Sequence, residues 1–508
     1  MSTTKIKTAL ISVYNKEGLE PIIKTLAENN VKMISTGGTK DFIEGLGVKV
    51  EAVEDLTTYP SIFGGRVKTL HPKIFGGILY RRSLPSDNKE ASQYDIPAID
   101  LVIVDLYPFE ETVAGGGTEE EIIEKIDIGG ISLIRAAAKN YNDLLIVSSR
   151  EQYHGLLELL KEKNCSSEKE DRKKFAAMAF DISSHYDTCI FNYFNQDGQV
   201  TSFKKSIRES TVLRYGENPH QKGVFYGNLN SVLGQLSGKE LSYNNLVDIE
   251  AALDIVGEFD SDTVFVIIKH TNACGVAIAS TVKEAYLKAL EADPVSAFGG
   301  ILATNKIIDL ETAEEINKLF YEVLIAPAYE EEALQLLMEK KKRIIIKQNA
   351  PYRKTVQFKD MLDGVLVQDK DTYKDRKENF KVATEKAPTI EEISALEFAL
   401  KVCKHTKSNT IVLSTRDQLL ASGVGQTSRV DALKQAIEKA YSVGYTLKGA
   451  VMASDAFFPF PDCVEIAGNE GISAVIQPGG SVKDQDSIDY CNKKGISMVF
   501  TGIRHFKH

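Results

Sequence analysis

The sequence predicts an α/β protein with a mainly parallel sheet in its first region and more than one folding unit, and three observations carry that prediction. Between residues 5 and 150, short apolar runs alternate with helical patterns in β–α–β order, the arrangement that puts helices on both faces of a parallel sheet. The chain has 508 residues, beyond the reach of one hydrophobic core, so about two to four units are expected. Apolar residues make up 43% and charged residues 26%, the ordinary balance of a globular protein.

Taken in order, KTALISVY reads as a strand and KEGLEPIIKTLAENN as a helix; VKMIST is a second strand, followed by Gly37-Gly38 and the helix TKDFIEGLG. IDLVIVDLY is a third, buried strand, IDIGGISLIRAAAKN a turn opening a helix, and LLIVSS a further strand. From Arg150 to Phe194 glycine is nearly absent, proline is absent, and Glu and Lys abound, so this segment reads as successive helices. Gly and polar residues cluster in NQDGQVTSFKKS, which sets the domain junction near residue 200 and gives domains 1–199 and 200–508. Beyond it TVFVIIKH, GGILATN, TIVLS, GAVMAS and ISAVIQP are strands, and ALEFALKVCKH and VDALKQAIEKAYSVG are helices. The charged stretch from Gln368 to Pro388 divides this region into subdomains of about 200–370 and 371–508. The tripeptide FGG recurs at 63, 75 and 298, but unequal spacing makes no structural repeat.

Charge and cysteine usage exclude several function classes. The net charge of −10, with no long Lys/Arg block, gives no support to nucleic-acid binding. Six scattered cysteines without a C-x-x-C pair fit a reduced interior better than a disulfide scaffold or a zinc ribbon. The N-terminus has no apolar h-region and no segment reaches the roughly 18 apolar residues of a membrane span; a cytoplasmic protein with no membrane partner is expected.

Three stretches carry candidate chemistry. Ser35-Thr36-Gly37-Gly38-Thr39 joins a strand to a helix, which suits either a phosphate held by helix-start N–H groups or a plain tight turn. It is neither a P-loop nor G-x-G-x-x-G. Residues 61–82 hold Arg66, Lys68, Lys73, Arg81 and Arg82 with no acidic residue, local positive charge for an anionic substrate or a solvated basic face. In VIIKHTNACGVA an apolar strand ends abruptly in Lys269 and His270, followed by a turn-like Thr-Asn-Ala-Cys-Gly. Ligands of α/β sheets bind at the carboxyl ends of strands, yet adjacent residues on a regular strand point to opposite faces, so a solvated edge and a catalytic pair both fit.

STGGT, FGGRVKTLHPKIFGGIL, DLYPFEETV and IDIGG-SLIRAAAKN, in that order, resemble the inosine monophosphate cyclohydrolase half of a bifunctional purine-biosynthesis enzyme family. LRYGENPHQ, LSYNNLVD, IIKHTNACGVA, DPVSAFGGILATN, KSNTIVL, GVGQTSR and SDAFFPFPD resemble its AICAR transformylase half, up to residue 508. The resemblance implies a methylglyoxal-synthase-like first domain and a second of two cytidine-deaminase-like subdomains. It implies formyl transfer from 10-formyltetrahydrofolate to AICAR, then dehydrative closure of formyl-AICAR to inosine monophosphate. No metal and no tightly bound cofactor is implied; the folate is a cosubstrate, and a homodimer sharing the transformylase site is expected.

The same resemblance assigns residues. Ser12, Lys16, Ser35, Thr36, Gly37 and Gly38 would hold the substrate phosphate, with Arg66 and Thr69 nearby, and Lys68, Tyr107, Asp127 and Lys139 would serve ring closure. Lys269 and His270 would be catalytic in formyl transfer; Arg214 and Tyr215 would contact the nucleotide, with His220 supporting the catalytic histidine. Phe298 and Gly299 would line that site and Asn409 would meet the carboxamide or formyl group. Arg429 would reach the phosphate across a dimer interface and Arg504 would close the nucleotide site. Glu322, Phe457, Pro459, Phe460 and Asp462 would form the folate pocket. Two departures are evident: Asp105 stands where the family commonly has Asn, and Glu322 where it often has Asp. A zinc deaminase is excluded because PDCVEI lacks the second cysteine of the metal motif. A nucleotide- and folate-binding regulator without turnover is the alternative from another class.

Overall fold

Five parallel strands form the centre of the first unit, which spans residues 1–208 of a computed structural model that describes residues 3–351 and 354–508. They are β1 (Thr8–Ser12), β2 (Lys32–Ser35), β3 (Glu51–Ala52), β4 (Leu101–Val104) and β5 (Leu145–Val147), in the order β3-β2-β1-β4-β5. Strands covered on both faces must be apolar throughout, and every residue of β4 and β5 is buried. One face packs on α1 (Glu20–Glu28) and α6 (Tyr153–Glu162). The other packs on α3 (Pro72–Leu79), α5 (Gly129–Lys139) and α7 (Lys169–Phe194). Two shorter helices, α2 (Gly37–Gly45) and α4 (Phe109–Ala114), follow β2 and β4 and border the site. The helical segment read from sequence thus completes this unit, and the unit boundary falls after residue 208.

The second unit, residues 209–508, contains two six-stranded mixed sheets. The first comprises β6 (Leu233–Ser237), β7 (Thr263–Lys269), β8 (Asn272–Ala279), β9 (Ile301–Thr304), β10 (Val323–Ala326) and β11 (Ile344–Gln348), ordered β6-β11-β10-β9-β7-β8. The second comprises β12 (Lys381–Val382), β13 (Ile411–Ser414), β14 (Leu419–Gly423), β15 (Val451–Ser454), β16 (Ala474–Gln477) and β17 (Ser497–Phe500), ordered β12-β17-β16-β15-β13-β14. Each strand of the second sheet repeats the position and direction of the strand six places earlier, down to a bulge near the carboxyl end of β7 and of β13. The inner helices α8 (Tyr243–Val256) and α10 (Ile390–Lys404) share one apolar cluster with both sheets. The helices α9 (Val282–Ala292) and α11 (Arg429–Val443) cover the opposite faces. The two sheets meet where Ala277 bridges Gln418 and Ile278 N–H donates to Asp417 O at 2.9 Å.

One local expectation is corrected. The turn-like Thr-Asn-Ala-Cys-Gly is mostly strand: β8 begins at Asn272, and only His270 and Thr271 form the turn. Main-chain pairing to β7 outweighs the local turn preference of Asn and Gly, and Cys274 is accommodated as a bulge.

The charged stretch is a fastened strap. It leaves the hairpin Val356–Met361/Gly364–Asp369, and Lys370 and Lys374 pair with Asp254 and Asp260. Tyr373 O accepts from Lys404 Nζ at 2.7 Å, while the buried His505 ring meets Asp371 at 2.6 Å and Asp375 at 2.8 Å. Among the described residues no helix is long and apolar enough to cross a membrane.

Candidate active sites

The first site grows from the ends of β1 and β2. Thr36 is extended and α2 starts at Gly37, whose φ of +42° favours glycine. Ser12 Oγ lies 2.9 Å from Thr36 Oγ1, while Ser35 donates to Ile11 O at 2.6 Å and so braces the turn. A Cβ on Gly37 would stand 3.4 Å from Lys68 Nζ, and one on Gly38 3.9 Å from Lys16 Nζ. Two ammonium groups therefore stand near a helix start, an arrangement that suits an anion. Lys68 is placed by the Phe63-Gly64-Gly65 turn, all three with positive φ. A Cβ on Gly65 would meet Lys68 Cε at 2.6 Å, so only glycine lets that side chain pass. Arg66 is exposed and paired with Glu124.

Beside this helix start lie Asp127, Thr69 and Tyr107. Asp127 Oδ1 accepts the Gly130 N–H at 2.6 Å, and a Cβ on Gly130 would sit 2.4 Å from Oδ2, so the glycine lets the loop fold over the carboxylate. A Cβ on the neighbouring Gly129 would be 3.4 Å from the buried Thr69 Oγ1. Burial pushes the Asp127 carboxyl up, and burial with the nearby Asp127 charge pushes the Tyr107 phenol up. Tyr107 packs edge-on against Tyr14 at 5.5 Å, with Lys125 Nζ 5.9 Å from its ring. Asp105 accepts the backbone N–H groups of Tyr14 and of Asn15, the latter at 3.0 Å. Its charge therefore orders the loop that carries Lys16; an amide oxygen would leave one carboxylate contact unmade. Lys139 is exposed at the far end of α5, about 15 Å along the helix from Gly129, so one chain does not bring it to Asp127.

The Lys269–His270 pair stands on a two-residue hairpin between β7 and β8. Lys269 pairs with Asn272, while His270 and Thr271 have φ of +52° and +64°. Primed turns match strand twist but prefer Gly and Asn, so these two residues hold an uncommon conformation. Asp248, on α8, stabilises it: its carboxylate accepts Thr271 N–H at 2.7 Å and His270 N–H at 3.3 Å. The motif LSYNNLVD was visible in the sequence, but nothing in it signalled that its aspartate caps a turn more than twenty residues away. Lys269 does end its strand as expected. Because β7 runs antiparallel to β9, however, the hairpin lies at the amino ends of the parallel strands, not at the carboxyl edge where α/β sheets usually bind.

Lys269 Nζ donates to Phe298 O at 2.7 Å, and Gly299, at φ +75°, donates its N–H to Phe320 O at 2.8 Å. Glu322 joins this edge through its N–H to Gly300 O and is ion-paired with Lys239 at 2.6 Å. A cavity of about 370 Å³ includes Lys269, His270, Asp293, Gln435 and Lys439 in its wall. Arg214 stacks on Tyr215, 4.5 Å from its ring, and donates to its hydroxyl at 2.6 Å. His220 is exposed in the following loop and makes no hydrogen bond to His270.

A second cavity, about 650 Å³, opens at the carboxyl ends of the parallel strands of the second sheet. Asn409, Arg429, Phe457, Pro459, Phe460, Asp462 and Arg504 all line it. Arg429 is buried, paired with Asp455, and donates to Asn409 Oδ1 at 2.9 Å. Among the described residues its Nε and Asp455 Oδ2 remain unpartnered. Phe457 and Phe460 are both exposed at the mouth. No residue lines both cavities, although Gln435 of the first and Arg429 of the second share α11.

Fold and cavities together mark an α/β enzyme with a candidate site in each of its two units. A family profile described as AICARFT/IMPCHase bienzyme matches residues 137–439, and one described as MGS-like domain matches residues 18–132. The chain is 62% identical over 509 positions to the bifunctional purine biosynthesis protein PurH of Bacteroides thetaiotaomicron, covering all of both chains. It is 47% identical to the PurH of Aquifex aeolicus, covering 98% of this chain and 100% of that one. With the PurH of Acetivibrio thermocellus it shares 48% identity, covering 99% and 100%. The chain belongs to the AICARFT/IMPCHase bienzyme family, enzymes with transformylase and cyclohydrolase activities.

Proposed function

We propose that the second unit transfers a formyl group from 10-formyltetrahydrofolate to AICAR and that the first closes formyl-AICAR to inosine monophosphate. The observation that carries the division is the pair of ammonium groups over the Gly37–Gly38 helix start in one unit, against the Lys269–His270 hairpin in the other.

In transfer, the amine of AICAR attacks the formyl carbon and loses a proton to the imidazole of His270. Lys269, held by Phe298 O, protonates the leaving folate nitrogen or stabilises the oxyanion; acid–base help of this kind is worth about 10²–10⁴ in rate. Phe457, Pro459 and Phe460 offer an apolar wall to the flat pterin, and Asp462 a carboxylate for its N–H donors. Because the two halves of this constellation line different cavities, the working enzyme is a homodimer in which Arg429 of one chain serves the nucleotide held by the other.

In ring closure, the carboxamide nitrogen attacks the formamide carbon and water leaves. Lys16 and Gly37–Gly38 hold the phosphate, Lys68 stabilises the oxyanion, Asp127 takes the amide proton and Tyr107 supplies one to the departing oxygen. We place both reactions in the cytoplasm.

The test mixes wild-type protein with AICAR and 10-formyltetrahydrofolate and follows tetrahydrofolate and inosine monophosphate separately. Both products are expected. Tetrahydrofolate with accumulating formyl-AICAR would mean a disabled first unit; neither product, with both ligands bound, would establish a regulator.

A further inference from the structure

On the long helix α7, His185 and Cys189 stand one turn apart, and Glu110 of α4 faces them. His185 Nε2 lies 3.0 Å from Glu110 Oε1 and 3.7 Å from Cys189 Sγ, and one ligating atom from each residue falls within 4.8 Å of the others. Metal–ligand bonds of about 2.3 Å to sulfur and 2.0–2.1 Å to nitrogen or oxygen, at tetrahedral angles, set those two separations at about 3.4 and 3.6 Å. The observed spacings are already within a few tenths of an ångström of that.

The other ring nitrogen is braced as metal-binding histidines are braced. His185 Nδ1 lies 2.9 Å from Ser206 Oγ, so a proton on Nδ1 can be given to the serine while Nε2 turns its lone pair to the cluster. The surroundings fit as well. The imidazole is mostly buried and the Glu110 side chain half exposed, which leaves one side open to solvent. None of the three residues belongs to the sites assigned above.

We propose that Glu110, His185 and Cys189 form a three-ligand site for a borderline divalent cation of the zinc type, with a fourth position open to water. The cation takes the Nε2 lone pair and a Glu110 oxygen, the thiol proton passes to solvent as the metal–sulfur bond forms, and no redox change is involved. Sulfur, nitrogen and one carboxylate select zinc-like ions over magnesium or calcium, which prefer all-oxygen sites.

The experiment titrates the full-length, metal-stripped protein with cobalt(II) and then displaces it with zinc against a chromophoric chelator. One equivalent per chain with thiolate-to-cobalt charge-transfer absorption is expected. Cys189→Ser should abolish that absorption and Ser206→Ala should weaken binding by about 10–100-fold; retained turnover of both reactions is the folding control. Absence of the absorption in wild-type protein, or equal affinity in the wild type and both variants, would overturn the proposal. Binding by magnesium as tight as by zinc would overturn the ion class.

Discussion

Asp248 holds Thr271: its carboxylate accepts the Thr271 N–H at 2.7 Å while a second contact reaches the His270 N–H at 3.3 Å. The hairpin tip keeps two non-glycine residues at positive φ, a conformation costing about 1–3 kcal/mol per residue, so the carboxylate is a positioning group for the pair beside it. Asp248→Ala should reduce formyl transfer by about 10² through misplacement while ring closure stays unchanged. Asp248→Asn, which keeps one acceptor, should fall between. Steady-state rates of each reaction check this; equal loss of both would indicate general unfolding instead.

The two activities should separate cleanly. His270→Ala should lower transfer by about 10²–10⁴ and leave closure of supplied formyl-AICAR intact, and Lys68→Ala should do the reverse. Measuring both half-reactions on each folded variant decides it.

Gly65→Ala offers a test of Lys68 that leaves the lysine in place. The added methyl would fall 2.6 Å from Lys68 Cε at a φ of +96°, so the lysine side chain must shift from its place near Gly37. Ring closure should drop by about 10², with transfer spared.

Arg429 and Asp455 form a buried ion pair. Arg429→Ala strands the carboxylate and should cost about 3–5 kcal/mol of stability, read as a lowered denaturation midpoint. Adding Asp455→Asn should restore most of that stability without restoring transfer, the outcome expected of the substrate contact proposed for the arginine.

His505 gives the strap a pH dependence. Burial alone draws its pKa down, but Asp371 and Asp375 outweigh burial and raise it to about 9, above the ordinary value near 6.5. A group whose pKa is higher when folded stabilises fully below its unfolded pKa and loses that contribution as pH passes its folded one. Stability should therefore fall between about pH 6.5 and 9, by an amount on the order of 3 kcal/mol. His505→Gln should flatten that slope, as measured by urea midpoints across the range.

Much of this architecture could be read from residues alone, for physical reasons. Strands buried on both faces announce themselves as unbroken apolar runs, which is why β1, β4, β5 and β7 were plain. Strands such as Val323–Ala326 and Leu419–Gly423 do not announce themselves, because a short apolar run alone does not separate a strand from a buried helix segment. The twin sheets left no periodic trace because topology, not residue identity, is what repeats. Asp248 was invisible because its purpose depends on backbone dihedrals at residues distant in sequence. Asp105 could be seen as a departure, but only the structure shows its charge facing two amides of a neighbouring loop.

The twin sheets have divided their edges between them. In the first, the Tyr329 hydroxyl reaches Leu324 O and Ile346 O within the parallel strands, and the Lys269 hairpin stands at the amino edge. In the second the carboxyl edge is an open cavity, and the loop matching that hairpin, Thr415–Gln418, is committed to docking on the first sheet through Ile278 and Lys288. The cavity beside Lys269 is itself walled from both halves, by Lys269 and His270 of one and Gln435 and Lys439 of the other, so neither half alone would make it.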